Sequence, residues 1–290
     1  MGFSSIDDLV SEVTANGKFQ RVPYTRVVQT GATSVAGRWH EAFTGVGTGG
    51  TGVLTGTAGL GAALNSSTVG ALPQTSATVS TDTKHLLGMS AVTAGATVVP
   101  AWLMLTDLLY VYPSCVVTGT ATTLSNAAAK PTRFNNGTGV QCSCIVASAL
   151  GATTPTLTMT YTNQAGSGSK TGIFQASAAS LPLGSFMGGG VSAALTGPIM
   201  PLGAGDSGVR QLDSYTLASG TTGTVTFVLH RPLGMIPLVA ANVAGERDFL
   251  NQMPALPKVE DDACLALFIL VGGALTASNA VSGELIMAWG

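Results

Sequence analysis

Charged side chains are scarce in this sequence. Only 9% of the 290 residues are Asp, Glu, Lys or Arg, whereas a typical soluble domain carries about 25%. The 12 Lys and Arg residues are spread along the chain, which excludes a basic face for binding nucleic acid. Hydrophobic residues nevertheless make up 46% at a net charge of -2, and this combination excludes a disordered chain.

Long uninterrupted apolar runs are also missing. A membrane-spanning helix needs about 20 predominantly apolar residues, but residues 98–109 contain Pro100 and Asp107. Residues 265–277 are too short and are interrupted by a pair of glycines. The N-terminal residues lack the cationic and apolar regions of a secretory signal peptide. We therefore expect a protein that has no membrane partner and is made in the cytoplasm.

Cysteine and histidine are rare, and their spacing predicts neither a disulfide framework nor a metal site. The four cysteines include no Cys-x-x-Cys pair, the arrangement typical of zinc sites. Cys142 and Cys144 on one strand would point to the same face, so we expect buried free thiols. The three histidines share no ligand spacing. We therefore expect no bound metal.

Two short motifs are similar to functional signatures without completing them. Residues 166–172 (GSGSKTG) have Ser169 where a phosphate-binding loop needs its second glycine. Residues 205–208 (GDSG) are similar to a serine-protease nucleophile motif, but no histidine lies in a matching context. We interpret the first as a hairpin loop and the second as a turn. We therefore expect no enzyme activity, no catalytic residues and no cofactor.

The one clear helical pattern lies near the N-terminus, over residues 5–13. Ser5 is a suitable N-cap with Asp8 three residues later, and Asn16 followed by Gly17 ends the helix. Apolar residues recur at i, i+3, i+4 and i+7 and form one stripe. This stripe either packs on its own chain or docks on another subunit. Its members, which are our candidate contact residues, are Ile6, Leu9, Val10 and Val13.

Strand patterns dominate after residue 91, and no further helical period follows. Residues 156–162 alternate between Thr and larger apolar side chains. Residues 209–217 and 224–230, joined by a loop at 218–223, predict a hairpin. Short strands separated by Gly, Pro and Asn turns are typical of a β-sandwich or jelly roll. We therefore expect an all-β protein with a sandwich or jelly-roll-like body and a short N-terminal helical arm.

The same patterns divide the chain into two regions. We expect a helix and contact arm over 1–41 and a β-sandwich body over 42–290. The body forms either one sandwich or two, with a break near 120–135. Residues 44–81 are rich in Gly, Ala and Thr, and glycine is costly to order. We interpret this segment as a long ordered loop that is stabilised only in an assembly.

Charge is distributed unevenly along the chain. Residues 42–81, 134–169 and 171–205 contain no charged residue, although a free monomer usually has a well-charged surface. We therefore expect neighbouring subunits to cover part of these neutral stretches. Residues 260–262 lack the alternating spacing of a calcium loop and are interpreted as a solvated turn or an inter-subunit salt-bridge patch. The charged candidates for contacts are Arg21, Arg26, Glu246, Arg247, Asp248, Glu260, Asp261 and Asp262.

Three stretches carry a family resemblance: residues 5–10 (SIDDLV) with 16–19 (NGKF), residues 161–166 (YTNQAG), and residues 246–252 (ERDFLNQ) leading to 257–262 (PKVEDD). With them, most of the chain resembles virion structural proteins of tailed bacteriophages, of the kind that decorate or cement the head. The resemblance implies a β-sandwich body, a contact arm and homo-oligomers, with trimers favoured, bound to the major capsid protein in the virion. It implies no enzyme and no cofactor.

Two other functions stay open at this point. A jelly-roll major capsid subunit or a tail component would have a similar composition, and the copy number per particle would distinguish them from a decoration protein. A major capsid protein of the common tailed-phage fold would also need a long helix, and the sequence predicts none. A host-glycan-binding module would need clustered exposed aromatic residues, but aromatic residues make up only 6% of the chain, with three Trp.

Overall fold

A computed structural model describes residues 2–28, 37–74, 79, 82–95, 99–119, 121–125, 131–176, 178–190, 197–252, 255–273 and 279–290. Over these residues the protein is nearly all β, with a short N-terminal helix, which confirms the predicted fold class. The elements are α1 (Ile6–Thr14), β1 (Phe19–Val27), β2 (Arg38–Glu41), β3 (Ala62–Ala63), β4 (Lys84–Thr93), β5 (Ala101–Val116), β6 (Thr122–Thr123), β7 (Gln141–Ser148), β8 (Thr156–Asn163), β9 (Lys170–Gln175), β10 (Phe186–Gly189), β11 (Val209–Leu217), β12 (Thr224–Leu238), β13 (Gly245–Asp248), α2 (Phe249–Gln252), β14 (Cys264–Val271) and β15 (Ala280–Trp289).

Helix α1 forms where the sequence predicts a helix. The Oγ of Ser5 accepts a hydrogen bond from the Asp8 amide at 3.1 Å, which satisfies one of the free amides at the helix N-terminus. Gly17 has a φ of 64°, the left-handed conformation that commonly ends a helix. Leu9 is the buried residue of the helix, so α1 packs on the body through only part of its apolar stripe.

The strands form two sheets, and every pair of these strands is antiparallel. The smaller sheet has the order β1-β15-β4-β13. The larger sheet has the order β2-β14-β5-β12-β7-β10-β9-β8-β11-β6, and β3 pairs with β5. The sheets pack face to face as a sandwich, since side chains from both sheets share one buried cluster.

The long strands β5 and β12 take part in two separate cores. Core 1 lies between the four-stranded sheet and the strands β5, β14 and β12, and it includes Leu105. Core 2 lies between β5, β12 and β7 on one side and β8, β9 and β11 on the other, and it includes Tyr110. The pairing of β5 with β12 skips Leu109, so Tyr110 faces Leu229 and Leu108 faces His230. This bulge changes which face each side chain occupies, so one strand serves both cores.

A third buried cluster, core 3, covers the other face of β5, β12 and β14. It includes Phe268 from β14 and Phe43, Leu54 and Leu64 from the glycine-rich region. Phe186 of β10 contacts Phe268 with ring centroids 4.7 Å apart. The described part of the predicted long loop therefore packs on its own chain, through apolar side chains that occur at wide intervals.

The predicted hairpin of residues 209–217 and 224–230 is wrong. Both segments are strands, but β11 pairs with β8 and β6, whereas β12 pairs with β5 and β7. The reason lies in burial, because Phe227 faces core 2 and Val228 faces core 3. A strand that is apolar on both faces is stabilised in the middle of a sheet. By contrast, the predicted hairpin loop at 166–172 joins β8 to β9.

The segment predicted as a contact arm contributes to both sheets. Residues 19–27 pair with β15, and residues 38–41 pair with β14. Within the described residues 2–28 and 37–41, the helix α1 is the main part that lies outside the sheets. The sequence predicts a body of one sandwich or two, with a break near 120–135, and residues 120 and 126–130 of this break lie outside the described residues. Cores 1 and 2 share the strands β5 and β12.

Candidate functional site

The outer face of the four-stranded sheet brings together charged residues that are far apart in the sequence. On β1, Val22 and Tyr24 face core 1, so the alternation of the strand turns Arg21 outward. Strand β13 lies at the opposite edge and exposes Glu246 and Asp248. One row across the sheet consists of Arg21, Ile286, Gly88 and Asp248, and the next consists of Pro23, Glu284, Ser90 and Glu246.

These rows form an open groove of about 420 Å³. The small residues Gly88 and Ser90 of β4 form its floor, and the side chains of the neighbouring strands form its walls. The structure thus places four of the predicted contact residues around one groove. These four are Arg21, Glu246, Arg247 and Asp248.

Hydrogen bonds stabilise the charged forms of the side chains in this groove. Arg21 donates to Glu284 at 2.6 Å, and this bond raises the pKa of Arg21. Asp248 accepts hydrogen bonds from the side chain and amide of Asn251 and from the amide of Leu250, which lower the pKa of Asp248. The β1 side therefore carries an ion pair between Arg21 and Glu284, and the β13 edge carries the exposed carboxylates of Glu246 and Asp248 with the half-buried Arg247 between them.

The apolar stripe of α1 is divided between the protein interior and the surface. Leu9 is buried and Val13 is half-buried, but Ile6 and Val10 are 64% and 53% exposed. A groove of about 230 Å³ adjoins the helix, and Leu250 and Leu256 contribute to it. The structure therefore leaves half of the predicted contact stripe without cover from the described residues.

Arg26 has a different place from the one predicted, because its side chain is only 1% exposed. Its guanidinium donates to the carbonyls of Ala42 at 3.0 Å and Thr48 at 2.9 Å, and also to those of Gly50 and Phe43. The Arg26 side chain lies on the same face of β1 as Val22 and Tyr24, and residues 42–50 cover it. Because it is buried there, the predicted contact role for this side chain is wrong. Arg26 instead holds the glycine-rich loop.

The predicted acidic patch at residues 260–262 forms ion pairs within the chain. Glu260 lies 2.9 Å from Lys258, Asp261 lies 3.4 Å from the buried Lys84, and Asp262 lies 3.1 Å from Arg133. The structure does not bring these three carboxylates into the groove of the four-stranded sheet. Each of them has a basic partner in its own chain, which weakens their case as a shared contact patch.

Arg133 and Asp107 form a buried ion pair where β5 passes from core 1 to core 2. Arg133 donates to both carboxylate oxygens of Asp107, at 3.0 and 2.7 Å, and to the carbonyls of Leu64 and Leu108 at 3.0 Å each. Asp107 also accepts from the Cys264 amide at 2.8 Å. Such full satisfaction is what a buried charged pair requires.

His230 lies in the same region between two hydroxyl groups. Its Nδ1 and Nε2 are each 2.8 Å from a hydroxyl oxygen, of Thr106 and Ser143 respectively. All three residues are fully buried, and burial lowers the pKa of His230 to about 3. A serine next to a neutral histidine is the beginning of a nucleophilic site, but this pair is closed to substrate. The bonds join β5, β12 and β7.

The four cysteines are buried free thiols, as predicted. Burial raises the pKa of Cys115 and of Cys264 to about 12, so these thiols are protonated and unreactive at neutral pH. Among the described residues, no group of three or more His, Cys, Asp and Glu side chains could hold a metal ion. No helix in the described part of the chain combines the length and apolar character that crossing a membrane requires.

A row of apolar side chains at one end of the larger sheet could not be predicted from the sequence. The register places Trp39, Leu270, Trp102 and Pro237 side by side on β2, β14, β5 and β12. Trp102 is 42% exposed, and the other three are half-buried. Nothing in the spacing of these residues along the chain indicates this row, because it depends on the strand order.

Comparisons with known proteins add little to this description. No family model matches the chain, and no curated protein matches it either. One solved structure, of the infectious bursal disease virus Gt strain, is similar over 93% of this chain and 80% of its own. The identity is 9% and the TM-score is 0.16. A TM-score this low carries no argument about fold or function.

Proposed function

We propose that this protein is a non-enzymatic structural component of a virus particle, in which many copies contact neighbouring subunits. The observation that carries the proposal is the concentration of exposed apolar side chains in the uncharged, glycine-rich segment of residues 42–81. Val46, Val53 and Val69 are each at least 60% exposed there, and residues 42–81 contain no charged side chain. Exposed apolar surface of this kind is typical of protein contacts.

The rigidity of this loop supports the proposal, because a pre-ordered surface loses less entropy on binding. Four backbone carbonyls of residues 42–50 accept hydrogen bonds from Arg26. Gly49 has a φ of 88°, and a Cβ at this position would lie 1.9 Å from the Ala71 carbonyl oxygen. Thr44 also donates its amide to the buried Glu41 at 2.8 Å.

The finer function that we propose is decoration or cementing of a phage head, with the major capsid protein as partner. The sequence resemblance supports it, together with the exposed Ile6 and Val10 on a helix outside the sheets. The alternatives are a jelly-roll major capsid subunit and a tail component. Imaging of the particle distinguishes them, since a head role predicts hundreds of copies in the shell and a tail role predicts small multiples of three or six.

The test is binding of the purified full chain to particles that were assembled without it. We expect wild-type protein to sediment with the particles and Val46→Asp/Val53→Asp/Val69→Asp protein to stay in the supernatant with an unchanged melting temperature. Val239→Asp is the matched control, because Val239 is equally exposed, at 72%, but lies outside the loop. Failure of the wild-type protein to bind would overturn the proposal, and equal losses in both variants would overturn the assignment to the loop.

One observation favours a second candidate, a host-glycan-binding module. Trp39 and Trp102 lie two strands apart in one row, and aromatic side chains with one apolar face suit sugar rings. However, the positions that surround the row offer few hydrogen-bonding side chains for sugar hydroxyls. A glycan array separates the candidates, because only a glycan-binding module would give signals that Trp102→Ala removes.

A further inference from the structure

The outer face of the four-stranded sheet is complementary to itself in charge. Arg21 lies on the edge strand β1, and its side chain is 60% exposed. The acidic Glu246 and Asp248 lie on the opposite edge strand, β13, and both are exposed. Arg21 at one edge of the face is thus opposite in charge to the exposed carboxylates at the other edge, and it remains accessible while it pairs with Glu284 of its own chain at 2.6 Å.

Gly88, on the floor of the groove, is a second and independent feature of this face. It lies inside β4, where glycine weakens a strand. A Cβ built on Gly88 would meet its nearest neighbour, the Cδ1 of Ile286, at 3.5 Å, which is an ordinary contact. Gly88 is buried, but the packing of the monomer leaves room for a methyl group here, so it does not require glycine rather than alanine. A strand-interior glycine often marks a place where another molecule approaches closely.

The edge of this sheet is less suited to contact than its face. At β1, Pro23 has no amide to donate, and residues 25–27 already bond to residues 46–48. Proline and such cover are devices that prevent a strand of another molecule from adding to an edge. A partner that approaches from the β1 side therefore meets the outer face and not the edge.

We propose that this face binds the same face of a second copy, about a two-fold axis that runs parallel to the strands between β15 and β4. This rotation exchanges the two edges but keeps every row at its own level. Arg21 then meets the second copy's Asp248, and Ile286 meets the groove above the second copy's Gly88. The inference rests on the self-association that the proposed function includes. It proposes a two-fold contact between copies where the family resemblance favours trimers.

The size of the face fits such a contact. Strands β1, β4 and β15 have 9, 10 and 10 residues, and β13 has 4, so the three long strands cover about 14 Å by about 30 Å and β13 adds about 5 Å by about 13 Å. This area of roughly 500 Å², with the rim around it, approaches the ~800 Å² per partner of a stable interface. Face-to-face sheets pack at about 30° to one another, an angle that an axis nearly parallel to the strands allows.

Sedimentation of the full chain over a range of concentrations tests the proposal. We expect dimers that Arg21→Glu weakens by at least about tenfold in Kd, because the new carboxylate faces acidic residues. Arg21→Glu/Asp248→Arg exchanges the two charges that the axis brings together and is expected to recover part of the loss. Lys258→Glu is the matched control, since it reverses a charge outside this face and leaves the dimer unchanged.

Gly88→Ala provides a second test, because the melting temperature shows separately whether the fold is intact. The methyl group raises the groove floor, so we expect a Kd weaker by about fivefold without a lower melting temperature. A monomer at all concentrations, a trimer, dimers that neither variant weakens, or dimers that only Trp102→Ala abolishes would each overturn the inference. Particle binding by monomeric Arg21→Glu protein would leave the proposed function standing, whereas wild-type dimers that bind no particle would overturn only that function.

Discussion

Cores 1 and 2 share two strands but differ in what fills them. Core 1 is almost entirely aliphatic, and Tyr24 and Phe249 are its only aromatic members among the described residues. Core 2 contains four tyrosines, two phenylalanines and three cysteines. Its aromatic rings contact one another, for example Tyr215 and Phe227 with centroids 5.3 Å apart. The comparison shows that one pair of strands can support two different kinds of packing.

The difference has an energetic meaning. Aliphatic side chains specify a core by shape, whereas buried tyrosines usually also take hydrogen-bond partners; the Tyr110 hydroxyl, which has none among the described residues, is the exception in core 2. In core 2, Tyr161 donates to Asp206 at 2.6 Å, and Tyr215 donates to the Val116 carbonyl at 2.7 Å. Between the two cores lies the polar junction, which consists of the Arg133–Asp107 ion pair and His230 with its two hydroxyl partners. The junction therefore connects core 1, which is specified by side-chain shape, to core 2, which is specified largely by directional hydrogen bonds.

The largest effect is expected at this junction. Arg133→Met leaves the carboxylate of Asp107 buried without its partner, so we expect the free energy of unfolding to fall by about 3–5 kcal/mol. Urea denaturation measures this loss. The double variant Arg133→Met/Asp107→Leu is expected to be more stable than the single variant, because no unpaired charge remains. Lys258→Met removes a surface ion pair as a control, and an equal loss there would refute the explanation.

Acid is expected to weaken core 1 and the junction together. Burial lowers the pKa of His40, which faces core 1, to about 4, and that of His230 to about 3. Stability is therefore complete above the ordinary histidine pKa and falls as the pH drops from about 6.5 toward these values. At pH 5 each histidine is expected to cost about 2 kcal/mol relative to pH 8.

Urea denaturation at pH 8 and pH 5 measures the loss, and in His230→Gln protein the difference between the two pH values should shrink by about half. Carboxylates with lowered pKa values, such as Asp206, contribute only below this range. Burial raises the pKa values of Glu41 and Asp107, which acts in the opposite direction, so the decisive measurement is the comparison with His230→Gln. A difference between pH 8 and pH 5 that is the same in His230→Gln and wild-type protein would show that the His230 imidazole is hydrated in the folded protein.

The sequence predicts many of the helices and strands that form the two cores, but it does not predict which strands pair with each other. The alternation over residues 156–162 correctly predicts β8, and the cap at Ser5 correctly predicts α1. Local patterns depend on neighbours in the chain, and they predict such elements well. The neighbours of β11 and β12 could not be predicted, because strand order depends on which apolar faces meet across long separations.

The candidate groove shows the same limit. The charges of Arg21 and Glu246 stand out in a sequence with few charged residues, but only the strand order places them on one face. The role of Arg26 could not be predicted, since its carbonyl partners belong to a loop whose path no residue pattern encodes. Gly88 could not be distinguished from the other 37 glycines, because its significance lies in the space around it.

Removal of single hydroxyl groups is expected to sharpen the contrast between the cores. The Tyr112 hydroxyl in core 2 accepts a hydrogen bond from the Leu212 amide at 3.1 Å, so Tyr112→Phe removes a buried hydrogen bond between β5 and β11 at a cost of about 1.5 kcal/mol. Tyr24 in core 1 donates to the Ser90 carbonyl at 2.9 Å, and Tyr24→Phe is expected to cost about 1 kcal/mol. Thermal unfolding compares the two variants, and the reverse order would contradict the contrast.

The smallest effect is expected in α1, which belongs to neither core. Ser5→Ala removes the hydrogen bond to the Asp8 amide and should weaken the helix by about 1 kcal/mol. Because Leu9 is not a member of core 1 or core 2, we expect the loss to remain local. Hydrogen exchange should then be several-fold faster at the amides of residues 8–14 and unchanged in β5 and β12, with the same melting temperature. A lower melting temperature would mean that α1 unfolds with the body, and a helix coupled in this way would not be an independent arm for contacts with neighbours.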